Sequence, residues 1–189
     1  MKIILGTASK WRQAYFKELG YEYEVKTADI DEKMVRSDDF YKLPILIAKA
    51  KAEAILPSIN KPSILLTFDE IIVFEGRILE KPKDEKEARD VLCSYADKWV
   101  ETISAVCAEN TKSGKKAEGI EVAKLLFKKI PASVIDKFLK KGDILKCAGS
   151  FELEDPLLQK YVKKIEGTID SIAGLPKDLT KELIEVVSE

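Results

Sequence analysis

The sequence predicts an α/β fold with an extended mixed sheet and flanking helices. Short apolar runs typical of buried strands alternate with segments of helical periodicity along all 189 residues. Two longer strand-like segments, residues 98–109 and 117–128, surround a polar turn, as neighbouring strands do. With 46% hydrophobic and 34% charged residues, the composition is that of a globular chain.

The boundaries of the predicted elements have local causes. Gly6 ends the first strand, Gly20 closes the first helix, and Pro57 stops a long helix because proline cannot continue it. A capping box at 84–87 starts another helix. In chain order we predict strand 2–6, helix 10–19, strand 21–26, acidic loop 28–38, a helix from 38 or 44 to 56, strand 63–67, hairpin 71–79, helix 84–95, strands 98–109 and 117–128, and a final helix 178–187.

Residue counts exclude several classes of protein. The chain has 32 Lys and Arg, 33 Asp and Glu, a formal net charge of −1 and no His. The lack of His excludes His-containing triads and His-ligated metal sites, and the near-zero charge argues against general binding to nucleic acid or anionic membranes. No apolar stretch reaches the roughly 18 residues of a membrane span. Three scattered cysteines, Cys93, Cys107 and Cys147, fit a reducing compartment, so we expect a cytoplasmic protein.

The segment Gly6-Thr-Ala-Ser-Lys-Trp-Arg12 is the first candidate for phosphate binding. A predicted strand ends there in a turn of small residues and a helix begins, which leaves backbone amides for an anion. Ser9 would add a hydroxyl, and Arg12 would add a guanidinium with parallel donors. The alternative is an ordinary strand–helix connection with Ser9 as the N-cap, and this segment alone favours that alternative.

Lys51 is a second candidate because it lies in the apolar arc of the long predicted helix, between Ala48 and Ile55. A lysine in such a place either extends its amine outward to water or points it into a site. Helical position alone favours the first arrangement. Lys49, by contrast, belongs to the polar edge of the same helix.

An acidic pair, Asp69-Glu70, directly follows the predicted strand 63–67. Ligands of α/β folds lie at the carboxyl ends of strands, and two carboxylates there suit a divalent cation or a general base. We favour a functional role over a plain turn because the flanking residues are apolar. The hairpin that follows should bring Lys81 back to Asp69, in either a metal–phosphate site or a surface ion pair.

A third acidic group, Asp29-Ile-Asp31-Glu32, fits a ligand of a hard cation and a solvated loop equally well. Cations at strand and helix ends, several carboxylates and no nucleophile–His pair together indicate metal-assisted phosphate chemistry.

These segments resemble those of the Maf-like proteins, a family of nucleoside triphosphate pyrophosphatases. The resemblance covers nearly the whole chain in the family's order, and it extends to plant and protist versions in particular. The blocks that carry it are Ile4-Leu-Gly-Thr-Ala-Ser-Lys-Trp-Arg12, Asp29-Ile-Asp-Glu32, Lys51-Ala52, Thr67-Phe-Asp-Glu70, Glu80-Lys-Pro-Lys-Asp-Glu-Lys-Glu-Ala88, Cys147-Ala-Gly-Ser-Phe151 and Gly167-Thr-Ile-Asp-Ser-Ile-Ala-Gly-Leu-Pro176.

The resemblance implies one Maf-like domain over residues 1–189, similar in fold to inosine-triphosphate pyrophosphatases. That fold has an extended mixed sheet and two lobes around a central cleft, and it often forms a homodimer. The implied enzyme is a hydrolase acting on acid anhydrides, which converts NTP and water to NMP and diphosphate with Mg²⁺ or Mn²⁺. Its implied substrates are modified or surplus nucleotides, with neither nucleic acid nor membrane as a partner.

The resemblance also implies roles for six residues. Glu32 and Asp69 match the positions of the family's metal-binding carboxylates. Asp69 also matches the residue that accepts a proton from the attacking water. The residues similar to triphosphate binders are Ser9, Arg12, Lys51 and Lys81. These roles agree with elementary electrostatics, because cations and a metal offset charge at the α-phosphorus while a carboxylate orients water.

Three positions are implied to vary with the substrate: Trp11, Glu70 and Glu154. In the branch that resembles enzymes acting on pyrimidine triphosphates, these positions hold Arg, Thr and Gln. In the branch that prefers 7-methyl-GTP, they hold Trp, Gln and Glu. Trp11 and Glu154 therefore favour 7-methyl-GTP, whose cationic base suits an aromatic face and carboxylates. Simple packing of Trp11 in the first helical turn explains that residue equally well.

Two departures from the family motivate a different function. Glu70 matches neither branch and adds a negative charge beside Asp69. Lys98-Trp-Val100 stands where the family has Arg-Thr-His, so we expect Trp99 to pack rather than to bind a ligand. The alternative function is a catalytically weak nucleotide-binding regulator of cell division or growth, which would bind nucleotide without releasing diphosphate.

Overall fold

The computed structural model describes residues 1–153 and 155–189, with the side chain of residue 143 left out. Glu154, one of the three predicted specificity positions, lies outside the described residues. The strands of the described part are β1 (Lys2–Gly6), β2 (Tyr23–Val25), β3 (Ser63–Phe74), β4 (Arg77–Leu79), β5 (Trp99–Asn110), β6 (Lys116–Phe127) and β7 (Val162–Glu166). Its helices are α1 (Lys10–Lys17), α2 (Leu43–Ile55), α3 (Glu85–Ser94), α4 (Ala132–Leu139), α5 (Pro156–Gln159), α6 (Ile169–Ile172) and α7 (Lys177–Ser188).

The strands form one sheet in the order β2-β1-β3-β5-β6-β7, with β4 paired to β3. β1 is parallel to β2 and to β3, and the remaining pairs are antiparallel. The predicted α/β fold with a mixed sheet and flanking helices is therefore confirmed. Within the described part of the chain, no helix is both long and apolar enough to cross a membrane.

Local predictions hold at several element boundaries. Asp84 caps α3 by accepting a hydrogen bond from the Glu87 amide at 2.8 Å, as the capping box predicts. Pro44 lies in the first turn of α2, where its missing amide hydrogen is of no consequence. α1 ends two residues earlier than predicted, at Lys17, although Gly20 does adopt the left-handed conformation of a helix end.

The predicted end of the third strand at residue 67 is wrong, because β3 continues without a break to Phe74. β5 pairs with β3 from Ile64 to Val73 and supplies hydrogen bonds throughout that length. Asp69 and Glu70 therefore lie inside a long strand rather than in a turn. The polar pair looked like a strand end because sequence periodicity does not reveal a partner strand 35 residues further along.

The other edge of β3 is open at these same residues. β1 ends opposite Thr67, and pairing with β4 begins only at Ile72. Over the ranges that the structure describes, no strand therefore pairs with residues 68–71 on that edge. This four-residue opening leaves room for side chains beside the sheet, and backbone groups in it need other partners.

The two faces of the sheet bury different helices. One face packs Leu66 and Phe68 of β3 against α1 and α7, and the opposite face packs Leu65 against Ala52 and Ile55 of α2. A further core, centred on Tyr95 and its aromatic neighbours, lies at the far end of the sheet. Since side chains alternate along a strand, Asp69 faces α2 and Glu70 faces α1.

Candidate active site

A cleft lies at the opening in β3, between the β1–α1 turn on one side and residues 146–153 on the other. It consists of two adjoining cavities of about 300 and 1150 Å³ that share much of their lining. Every predicted site residue that the structure describes lines the smaller cavity: Ser9, Trp11, Arg12, Glu32, Lys51, Asp69, Glu70 and Lys81. Residues separated by as many as 72 positions in the chain therefore meet in one cleft.

Lys51 points its amine into this cleft. Its Nζ lies 2.6 Å from Asp69 Oδ1 and 2.8 Å from Glu32 Oε1, and it donates to the Phe68 carbonyl at 3.3 Å. The Lys51 side chain is only 13% exposed, whereas the nearby Lys49 extends into solvent and pairs with Glu118. The outward arrangement favoured from helical position is therefore wrong, because the unpaired carbonyl and two carboxylates at the opening hold the amine inward.

Asp69 is buried, with 6% of its surface exposed. Burial raises the pKa of its carboxyl group, while the charges of Lys51 and Arg12 act in the opposite direction. A carboxylate that is ion-paired, nearly dry and raised in pKa is better suited to accept a proton than an exposed one.

The first helical turn supplies two more of the predicted residues. Ser9 is the N-cap of α1, and its Oγ accepts from the Arg12 amide at 3.3 Å. The ordinary strand–helix connection is thus present, and the same turn also borders the cleft. Arg12 Nη2 lies 3.6 Å from Glu70 Oε2, and its buried Nε has no hydrogen-bond partner among the described residues.

Trp11 lies at the rim of the cleft, where it is 45% exposed and its indole N–H donates to Glu152. Sequence reasoning missed Glu152 and Lys146, which line both cavities. Their positions next to the block 147–151 were the available signal. Each contributes charge on the side of the cleft opposite α1, an anion near Trp11 and a cation at the other end of the block.

The acidic residues of segment 29–32 have different roles. Asp31 caps a short 3₁₀ turn by accepting from the Lys33 amide at 3.0 Å, and only Glu32 reaches the cleft. Lys81 follows β4 and lines the same cavity as Asp69, as the hairpin predicted. Trp99 is partly exposed on β5, away from the cleft, with Lys164 Nζ 5.3 Å from its ring centre.

The carboxylates of the cleft suit a divalent cation only together with further ligands. No group of three or more Asp, Glu, Cys or His side chains among the described residues could hold a metal ion alone. Glu32 and Asp69 nevertheless converge within 2.8 Å of a single Lys51 amine. Mg²⁺ is bound in proteins through one or two carboxylates together with phosphate oxygens and water, so this pair fits a cation that is shared with a phosphate ligand.

The chain is similar in sequence to known proteins over nearly its whole length. The chain is 39% identical over 194 residues to a 7-methyl-GTP pyrophosphatase of Dictyostelium discoideum, covering 99% of this chain and 98% of the relative. It is 30% identical to a dTTP/UTP pyrophosphatase of Treponema denticola, covering 100% and 96%. A solved structure of a HAM1 protein from Coxiella burnetii aligns with 69% of this chain and 75% of its own, at 17% identity and a TM-score of 0.46.

The family description "Maf-like protein" matches residues 2–187. That span includes all the blocks singled out in the sequence and every residue that lines the cleft. This chain therefore belongs to the family of Maf-like proteins.

Proposed function

We propose that this protein is a nucleotide pyrophosphatase, which hydrolyses a nucleoside triphosphate to the monophosphate and diphosphate and prefers 7-methyl-GTP. The observation that carries the proposal is the convergence of Asp69, Glu32 and Lys51 at the opening in β3. The names of the Dictyostelium and Treponema relatives, both nucleotide pyrophosphatases, support the reaction.

The triphosphate binds along the cations of the cleft in this proposal. Arg12 offers a planar guanidinium to two phosphate oxygens, and Lys51 and Lys81 add compact charges. The first amides of α1 and the Ser9 hydroxyl lie at a helix N-terminus, which favours anions. Lys51 exchanges part of its contact with Glu32 and Asp69 for contact with phosphate, because all three groups share one small volume.

Asp69 accepts the proton of the attacking water. Its position beside the Lys51 amine keeps it ionised until the proton is transferred, and its burial excludes bulk solvent from the reacting oxygen. A bound Mg²⁺ or Mn²⁺ would supply charge neutralisation at the phosphates, and Asp69 and Glu32 are the residues that would hold it.

Trp11 and Glu152 form the base end of the cleft. The exposed indole face suits the positive charge that 7-methylguanine carries, and the carboxylate that accepts from its N–H fixes the ring. The Dictyostelium relative, named for 7-methyl-GTP, supports this preference. Glu154 stays a predicted specificity position.

Three further properties belong to the same proposal. The near-neutral charge of the chain favours a small anionic substrate over nucleic acid. All three cysteines are free, which suits the cytoplasm. We also expect a homodimer, as the family resemblance implies, and light scattering after size-exclusion chromatography measures it directly.

The test is diphosphate release with Mg²⁺ from a panel of 7-methyl-GTP, 5-methyl-UTP, UTP, CTP, dTTP, ITP and GTP. Turnover with 7-methyl-GTP highest, and lost in Asp69→Asn, would support the proposal. Tight nucleotide binding without turnover of any member would instead support a regulator. Turnover that survives in Asp69→Asn would remove the proposed proton acceptor.

A further inference from the structure

Gly174 packs its backbone directly against the Arg12–Glu70 ion pair. It follows α6 with a φ of +79°, and a Cβ added there would lie 2.3 Å from Glu70 Oε2, 2.6 Å from Arg12 Nη2 and 2.8 Å from Arg12 Nε. These distances are shorter than van der Waals contact, so no side chain fits beside the pair as it stands.

The atoms that a Cβ would meet are the ends of two flexible side chains. A substituent at residue 174 would therefore move the guanidinium and the carboxylate rather than break the surrounding backbone. Glycine at residue 174 therefore does two things. It allows the positive φ that is common at a helix end, and it leaves space for the two charged groups.

Glu70 belongs to this arrangement rather than to the Asp69 side of the strand. It faces α1, and its Oε2 lies 3.6 Å from Arg12 Nη2. The side chains of Glu70 and Arg12 are 18% and 14% exposed. The buried Arg12 Nε lacks a hydrogen-bond partner in the described part of the chain. A guanidinium with an unsatisfied buried donor depends on its remaining contacts to stay in one orientation.

We propose that Glu70 and Gly174 are positioning residues, which hold the Arg12 guanidinium at the phosphate end of the cleft. Glu70 then acts through Arg12 and does not read the base, contrary to the role that the family resemblance implies for this position. The proposal rests on the proposed function for its substrate, and it accounts for an acidic residue beside Asp69 because Arg12 neutralises that charge.

The first experiment separates positioning from base recognition. In Glu70→Gln, we expect kcat/KM for 7-methyl-GTP and for GTP to fall by the same factor of about ten, because a displaced guanidinium weakens binding of any triphosphate. Inhibition by inorganic triphosphate, which has no base, should weaken by a similar factor. A changed ratio between the two nucleotides, with inorganic triphosphate unaffected, would overturn the proposal.

Gly174→Ala has a matched control in Gly20→Ala. Both glycines follow a helix at a φ of +79°, but a Cβ at residue 20 meets nothing within 4 Å. We expect the two variants to lose similar stability, and only Gly174→Ala to lose affinity for inorganic triphosphate, with no further loss when it is combined with Arg12→Ala. Equal affinity in the two glycine variants would overturn the proposal.

A measurement without turnover keeps this inference separate from the proposed function. The chain has four arginines, so the Nε–Hε signals are few enough to assign by NMR. The Arg12 signal should be protected from solvent exchange in the native protein and in Gly20→Ala, and should lose protection in Glu70→Ala and Gly174→Ala. Protection retained in the last two variants would overturn the proposal even in a protein without pyrophosphatase activity.

Discussion

The two edges of β3 differ at residues 68–71: one edge is paired with a strand and the other is open. Along one edge, β5 pairs from Ile64 to Val73, and the side chains above and below that ladder build the core. Along the other edge, residues 68–71 lie between the end of β1 and the start of β4. The charged groups of the cleft gather at this second edge.

The difference shows how a core strand can carry a site. Pairing with β5 fixes the backbone of Asp69 and Glu70, so the open edge costs little rigidity. The open edge supplies an unpaired carbonyl at Phe68, which Lys51 satisfies, and space for a ligand. The alternation of the strand then sends Asp69 to Lys51 and Glu70 to Arg12, on opposite faces of one opening.

The largest effect is expected for Asp69→Asn. The substitution keeps the shape of the side chain but removes the proton acceptor, and we expect kcat to fall by about 10²- to 10⁴-fold. The matched control is Glu109→Gln on β5, which removes a carboxylate that is also paired with a lysine, Lys116, away from the opening. Diphosphate release by the two purified variants checks this. A fall in kcat of similar size in Glu109→Gln would deny any special role to the open edge.

The next effect compares two lysines of α2. Lys51→Met leaves Asp69 buried without its cation, so we expect kcat/KM to fall by about 10²-fold and the free energy of unfolding to fall by about 2–3 kcal/mol. Lys49→Met removes an exposed ion pair with Glu118 and should change stability by less than about 0.5 kcal/mol. Steady-state kinetics and urea unfolding measure both quantities. Losses in Lys51→Met as small as those in Lys49→Met would mean that the inward amine contributes no more than an exposed ion pair does.

Lys51 also shows how much of the site could be predicted from the sequence. Apolar periodicity identified α2 and placed Lys51 on its apolar side, but the direction of the amine depended on partners at residues 32, 68 and 69. The family resemblance identified the candidate site residues. The predicted hairpin indicated that Lys81 would lie near Asp69, and both line the same cavity. Physical pattern alone left each of them with an ordinary alternative.

The open edge itself was not predictable from local pattern. It arises because β1 stops at Gly6 while β3 continues for seven residues beyond Thr67, and the paired residues of these two strands are 61 positions apart in the chain. The proximity of Gly174 to Arg12 is equally non-local, since it depends on the path of the chain after α6. Glu152 was missed because local pattern does not distinguish it from the other acids of Phe151-Glu-Leu-Glu-Asp155.

A smaller effect is expected at the base end of the cleft. Trp11→Ala should reduce the ratio of kcat/KM between 7-methyl-GTP and GTP by about 3- to 30-fold, because the cationic base loses an aromatic face. Trp99→Ala is the control, since Trp99 is a similarly exposed tryptophan on β5 outside the cleft. The ratio is measured with both nucleotides in one competition assay. An unchanged ratio in Trp11→Ala would assign Trp11 to packing.

The last prediction concerns the reactivity of the Cys107 thiol, which lies on β5, the paired side of the comparison. Burial raises its pKa to about 12 because the thiolate would lose its hydration, so at pH 8 the thiolate fraction is about 10⁻⁴. Iodoacetamide should therefore modify the exposed Cys93 and spare Cys107 in the native protein, as peptide mass spectrometry would show. In urea both should react, because unfolding returns the Cys107 pKa to its ordinary value. Rapid native modification of Cys107 would mean that the paired edge opens to solvent, and the rigidity that β5 gives to Asp69 would then lose its basis.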